Sequence, residues 1–209
     1  MLVTNPFLAG LDEIQYLRKL SEESRVIFQI AGGFNYNPYI SGFINKTGYL
    51  AELKHSCNCE PGLCNNTRYL EVLLQDSAVL LSLMRGTAKR ISINSWDCKG
   101  LNPDLLSARI ELDNGNIANL LITQGEKENK LNLELYSNDG ISRTSIALTQ
   151  DNQGKMLEDS ISLELAHFYT RIHNPFSNSN QHDMMFQALE IAHTIRAKVI
   201  RHYAVNAQN

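Results

Sequence analysis

The spacing of apolar residues changes along the chain and predicts helical segments at both ends. Near the N-terminus, apolar residues recur every three or four positions, which predicts a helix over residues 10–23. A second helix is predicted from Thr67 to Arg85. It is apolar on most of its faces, so we expect it to be buried on more than one side. Two further helices are predicted near the C-terminus, over about 159–173 and 183–203.

Between residues 89 and 149 the apolar period becomes two, which is typical of half-buried strands. Asp113-Asn114-Gly115 and Asn138-Asp139-Gly140 are typical hairpin turns within this region. Its five predicted strands are marked by Ile91/Ile93, Ala108/Ile110/Leu112, Leu120/Ile122, Leu131/Leu133/Leu135 and Ile146/Leu148. A sixth strand is predicted over 49–59, and a short apolar run over 25–30 suits another.

Strands grouped apart from helices favour an α+β fold, with a mostly antiparallel sheet of about six strands and helices packed on one face. We expect a single domain over residues 1–209. Within it, residues 1–33 form a helix and strand that lead in, and residues 34–209 form the sheet domain.

Composition and charge exclude several classes of protein. The 209 residues are 43% hydrophobic and 20% charged, which is sufficient for a packed core. The net charge of −3 argues against a nucleic-acid partner. Glu71, Gln75 and Asp76 interrupt the most apolar stretch, so we expect no membrane span. With four cysteines and no signal-peptide pattern, we expect a reduced, cytoplasmic protein.

A histidine and three cysteines form the sharpest local cluster, at His55, Cys57, Cys59 and Cys64. These are the ligand types that tetrahedral zinc prefers. However, alternate residues of a strand lie about 6.6 Å apart, which is too far for shared coordination without a bend. The alternative is that these side chains line the rim of the sheet as small, partly apolar groups, and the spacing favours that alternative.

Several segments resemble, in order, the C-terminal domain of the Gfo/Idh/MocA oxidoreductases, the relatives of glucose–fructose oxidoreductase and inositol dehydrogenase. Thr4-Asn5-Pro6 resembles that family's Glu-Lys-Pro turn, and Asn35-Tyr36-Asn37-Pro38 resembles its Arg-Phe-x-Pro stretch. Residues 75–86 resemble its His-x-x-Asp helix ending in glycine. Residues 163–168 and 188–192 resemble its final helix pair.

The resemblance implies a cofactor, NAD(P), held by a separate Rossmann domain through a glycine-rich turn. This sequence contains no G-x-G-x-x-G, and Gly32-Gly33 leads into Phe-Asn-Tyr-Asn. We therefore expect NAD(P) only if an upstream Rossmann domain exists, and no cofactor for this chain alone.

The family's catalytic positions carry different residues here. Its lysine falls on Asn5, and its histidine falls on Asp76, or on Gln75 with a shift of one residue. Hydride transfer to or from an alcohol needs a group that exchanges the hydroxyl proton near neutral pH. Asparagine and glutamine cannot do this, and a lone carboxylate is poorly matched to it. The resemblance still places a candidate substrate pocket at Asn5, Asn35, Asn37, Gln75 and Asp76.

Two hypotheses for the function follow. The first is a substrate-binding and oligomerisation domain of a divergent NAD(P)-dependent oxidoreductase, without activity as this chain alone, that takes a small sugar-like or polyol-like ligand. The alternative is a non-catalytic binding or assembly protein that retains the fold. In the family, the open sheet face forms the subunit interface. The apolar alternation at residues 131–135 would suit such a face, so we expect a homodimer or larger assembly.

Overall fold

The computed structural model describes residues 1–4, 6–8, 10–32, 40, 42–43, 46, 48–58, 66–96, 102–148, 150–173 and 180–206. Its α-helices are α1 (Leu11–Glu23), α2 (Asn66–Met84), α3 (Gln150–His173) and α4 (Asn180–Asn206). Two short strands, β1 (Leu2–Val3) and β2 (Gln29–Ile30), flank the 3₁₀ turn Pro6–Leu8 and α1. The longer strands are β3 (Leu50–Cys57), β4 (Ala88–Trp96), β5 (Leu105–Leu112), β6 (Ile117–Gln124), β7 (Lys130–Ser137) and β8 (Gly140–Ala147).

The six longer strands form one sheet in the order β4-β5-β6-β3-β7-β8, with helices packed alongside it. The predicted α+β class is therefore confirmed. The sheet is mixed because β3 lies between the consecutive strands β6 and β7 and runs parallel to β6. All the other pairs of neighbouring strands in this sheet are antiparallel.

The core lies between the sheet and helices α2 and α4, which pack against each other. Leu53 of β3 lies opposite Leu120 of β6 and Leu133 of β7, and all three are at most 1% exposed. Burying each leucine side chain stabilises the fold by about 1.5–3 kcal/mol. Helix α2 contacts both this sheet face and α4, which confirms that it is buried on more than one side.

The opposite sheet face, called the outer face below, is mostly polar. A row of side chains crosses it from Arg109 through Asn119, Glu52 and Glu134 to Arg143. The leucines expected to make this face apolar, Leu131, Leu133 and Leu135, instead lie in the core at 0–1% exposure. That expectation is wrong because the pairing of β7 with β3 places them on the same face as the buried residues Ala51, Leu53 and His55.

Helix α3 turns a polar side towards the rest of the protein. Glu164 accepts a hydrogen bond from the Gly32 backbone N–H, and Arg171 donates one to Gln29. The helix is longer than predicted, because it begins at Gln150 rather than near 159. Its large exposed apolar side chains are Ile161, Leu163, Leu165, Tyr169 and Ile172.

Strand β2 covers only Gln29–Ile30 of the run predicted over 25–30. It pairs in parallel with β1 and packs against α4. Across the described residues, no helix combines the length and the apolar character needed to cross a bilayer.

Candidate functional site

Helix α2 carries one buried acid, Asp76, on the side that faces β3. Its two carboxylate oxygens lie 3.0 and 3.2 Å from Nδ1 of His55, a residue on the inner face of β3. Asp76 is 2% exposed and His55 is 6% exposed. They meet because α2 packs against β3, and a buried polar residue on the sheet side of the helix needs a hydrogen-bond partner on the inner face of the sheet.

The electrostatics of this pair favour its charged form. Burial by itself lowers the pKa of His55, but the Asp76 carboxylate, together with Cys57, raises it, and the net result is a pKa of about 10. Because the ordinary value is 6.5, His55 is protonated at neutral pH. The site is therefore a buried ion pair that bridges a helix and the middle of the sheet.

Cys57 lies two residues along β3 on the same face as His55. It is a free, half-buried thiol. Among the residues that the structure describes, no three His, Cys, Asp or Glu side chains are placed to hold a metal ion. Cys59 and Cys64 lie outside the described residues. The zinc site therefore stays a prediction, and of its residues the structure shows His55 in contact with Asp76.

The predicted substrate pocket is described only in part. Gln75 is half-buried beside Asp76 on α2, whereas Asn5, Asn35 and Asn37 lie outside the described residues. The 3₁₀ turn Pro6–Leu8, which follows Asn5 directly, contacts α2. The pocket itself stays a prediction.

A second buried polar cluster was missed by the sequence analysis. Glu164 is 4% exposed, and one of its oxygens lies 2.8 Å from the Gly32 nitrogen. Burial raises the pKa of Glu164, and the hydrogen bonds from Gly32 and Gln29 oppose that rise. A signal was present, since Ser160, Glu164 and Arg171 share one side of α3 at helical spacing. Such a polar stripe is usually interpreted as facing solvent, which is why it was overlooked.

Comparison with solved structures shows what the fold resembles. The chain is similar to UDP-N-acetylglucosamine 3-dehydrogenase from Acidithiobacillus ferrooxidans, with 15% identity and a TM-score of 0.73 over 94% of this chain and 69% of that one. A probable dehydrogenase from Thermotoga maritima matches with 10% identity and a TM-score of 0.73, over 92% of this chain and 68% of that one.

A third similar structure is GenD2 from gentamicin A biosynthesis, solved in complex with NAD. It matches with 11% identity and a TM-score of 0.72, over 92% of this chain and 67% of that one. No protein-family model matches the sequence, and no curated protein matches it significantly.

The resemblance stated from the motifs is therefore confirmed at the level of the fold. The similar structures belong to dehydrogenases of the Gfo/Idh/MocA family and match nearly all of this chain over about two thirds of their own length. This chain has the fold of the Gfo/Idh/MocA dehydrogenases, over an extent consistent with their C-terminal domain.

Proposed function

We propose that this chain is the substrate-binding and oligomerisation domain of a divergent NAD(P)-dependent oxidoreductase, and that it does not catalyse hydride transfer by itself. The fold supports the first part of the proposal. The observation that carries the second part is the position of Asp76, which with Gln75 is one of the two residues on which the resemblance places the family's helix histidine.

Asp76 is poorly placed to exchange a proton with a substrate. Both carboxylate oxygens already lie within 3.2 Å of His55 Nδ1, and the side chain is 2% exposed. A proton-transfer group has to come within hydrogen-bond reach of the reacting hydroxyl. Asp76 could do so only by leaving a buried histidinium without its partner, which is strongly unfavourable.

The described residues also do not fit the diphosphate of NAD(P). In a dinucleotide site, backbone N–H groups of a glycine-rich turn point at the phosphates. Here the N–H of Gly32, in the glycine pair that follows β2, donates to the Glu164 carboxylate. A Cβ at Gly32 would lie 2.4 Å from Met185 Sδ, so the glycine at this position allows close packing against α4. NAD(P) therefore belongs to the proposal only through a separate Rossmann domain.

The ligand would be a small sugar-like or polyol-like molecule, bound beside Gln75 of α2, the helix that the Pro6–Leu8 turn also contacts. The amide side chains of Asn5, Asn35 and Asn37 would suit such a ligand, because an amide both donates and accepts hydrogen bonds and so can bind a hydroxyl group.

We further propose that two copies associate through the outer face. Because Leu131, Leu133 and Leu135 lie in the core, the contact between the two copies would combine polar and apolar side chains. The half-buried Leu50, Ile117 and Leu121 would pack between the polar rows. Light scattering at micromolar concentration should give at least twice the monomer mass of 23.6 kDa, and a monomer mass would overturn this part of the proposal.

The test of the main proposal is titration of the chain with NADH and NADPH, followed by fluorescence and calorimetry. We expect no saturable binding and no oxidation of sugars or polyols in the presence of NAD or NADP. Saturable binding of either dinucleotide to this chain would contradict the proposal. The alternative of a non-catalytic assembly protein would be favoured if the natural gene product, at its full length, also bound neither dinucleotide.

A further inference from the structure

Strand β4 forms one edge of the six-stranded sheet, and a groove of about 840 Å³ runs between it and α4. Residues 88–93 of β4 form one wall of the groove, and Thr194, Lys198, Arg201 and His202 of α4 form the other. The half-buried side chains of Ile91 and Ile93 contribute apolar surface. The groove therefore combines an apolar floor with the backbone of an edge strand.

The edge of β4 presents backbone groups that β5 does not use. Lys198 Nζ donates a hydrogen bond of 2.6 Å to the carbonyl of Ile91, which shows that this carbonyl points away from the sheet. In an antiparallel pair, alternate residues turn both backbone groups to the same side, so those of Ile93 and Ser95 also point outward. Across the residues that the structure describes, β5 is the only strand paired with β4, so these groups can bond to an additional strand.

The groove is also strongly basic, although the whole chain has a net charge of −3. Lys89, Arg90, Lys198 and Arg201 line it together with His202, and no acidic side chain does so among the described residues. None of these four cations forms an ion pair within the part of the chain that the structure describes.

The opposite edge of the sheet is different. On β8, the other edge strand, Arg143 pairs with Glu134 at 3.2 Å. Charged side chains, lysine above all, protect exposed edge strands from unwanted pairing. Lys198 serves that purpose on β4, and the other three cations of the groove make it a positive surface that suits an acidic partner.

We propose that this groove binds an acidic, extended peptide segment of a partner protein, which pairs with β4 as an added strand. Its backbone would bond to the outward groups of Ile91, Ile93 and Ser95, and its carboxylates would meet the groove's cations. Main-chain pairing supplies affinity and side-chain contacts supply specificity in this mode of recognition. Lys198 would exchange the Ile91 carbonyl for a carboxylate of the peptide. This binding is independent of the proposed oxidoreductase role, because β5 and β6 separate β4 from the strand that carries His55.

The test uses a fluorescein-labelled octapeptide of alternating Glu and Thr, followed by fluorescence anisotropy with the whole chain. We expect saturable binding that weakens as salt is added, because the contacts are between exposed charges. Lys89→Gln and Arg201→Gln should each weaken binding about tenfold, the loss of one charge-assisted contact. Lys19→Gln removes an exposed lysine of α1 and should leave binding unchanged.

Two further peptides separate strand pairing from simple charge attraction. An octapeptide of the same sequence with N-methylated backbone nitrogens cannot pair with β4, and we expect it not to bind. Equal binding of that peptide would show a general anion site and overturn the proposal. No saturable binding of the unmodified peptide at about 1 mM, or equal weakening by Lys19→Gln, would also overturn it. An octapeptide of alternating Lys and Thr should not bind, and the proposal fails if it binds as well as the acidic one.

Discussion

The two faces of the same sheet hold their charges in opposite ways. On the inner face, the His55–Asp76 pair lies among leucines, and its side chains are 7% and 3% exposed. On the outer face, Arg143 and Glu134 lie at a similar distance, but their side chains are 65% and 31% exposed. Because adjacent residues of a strand point to opposite faces, the same strands supply both environments.

The comparison shows that distance alone does not measure what an ion pair contributes. When an exposed ion pair forms, the two charges lose contacts with water and gain an attraction that water and salt screen, so the pair adds little to the stability of the fold. In a buried pair, each charge depends on the other, because neither can be solvated once its partner is removed. The inner pair is therefore expected to be essential to the fold, and the outer pair dispensable.

The largest effect is expected from breaking the inner pair. Asp76→Ala removes the counter-ion of His55, which must then lose its proton or stay charged without a partner, so the free energy of unfolding should fall by about 3–5 kcal/mol in urea denaturation. The double variant His55→Leu with Asp76→Leu should recover much of that loss, because it removes both charges. A loss below about 1 kcal/mol for the single variant would contradict the account.

The next effect is expected from the apolar part of the inner face. Leu133→Ala opens a cavity beside Leu53 and should lower the free energy of unfolding by about 2–5 kcal/mol. Glu134→Ala is the matched control, since it changes the neighbouring residue on the outer face, and the urea midpoint should hardly move. An equal loss of unfolding free energy in the two variants would contradict the claim that the inner face contributes more to stability than the outer face.

The pH dependence gives a graded effect. The pKa of His55 is raised in the folded state, from 6.5 to about 10, so its protonation stabilises the fold most fully below pH 6.5. That contribution declines as pH rises towards 10. Urea midpoints measured at intervals across this range should therefore fall in the wild type. The slope should be much weaker in the double leucine variant, and a midpoint that rises with pH would be inconsistent with a histidinium at this site.

The smallest effect is expected from the outer pair. Arg143→Gln should leave the urea midpoint unchanged, because its partner Glu134 keeps a hydrogen bond from the Tyr136 hydroxyl. A clear loss of stability for Arg143→Gln in the monomeric state would show that the outer pair contributes more than its exposure allows.

Local patterns predicted the elements of the fold, and long-range pairing decided how they are arranged. The alternation in residues 89–149 gave the strands correctly, because a half-buried strand shows its period within a few residues. The insertion of β3 between β6 and β7 leaves no local signal. It makes one pair parallel in a sheet expected to be mostly antiparallel, and the register of β7 against β3 places Leu131, Leu133 and Leu135 on the inner face.

The sequence singled out the two residues of the candidate site separately, but it did not predict that they are in contact. Asp76 attracted notice as an acid within an apolar helix, and His55 as part of a cysteine cluster, but their contact joins residues 21 positions apart. It depends on how α2 is rotated against β3, which the sequence of either segment does not specify. The polar segment that opens α3 contains Gly154 and resembles a loop, so the start of that helix was placed too late.

The central claim is that Asp76, one of the two α2 residues on which the resemblance places the family's histidine, is the structural partner of the buried His55. NMR titration of the His55 ring, assigned by comparison with His55→Leu, tests it most directly. The account predicts that His55 stays protonated through neutral pH in the wild type, and that its pKa falls in Asp76→Asn, where burial acts without the opposing carboxylate. A His55 that titrates near 6.5 in both proteins would contradict the account.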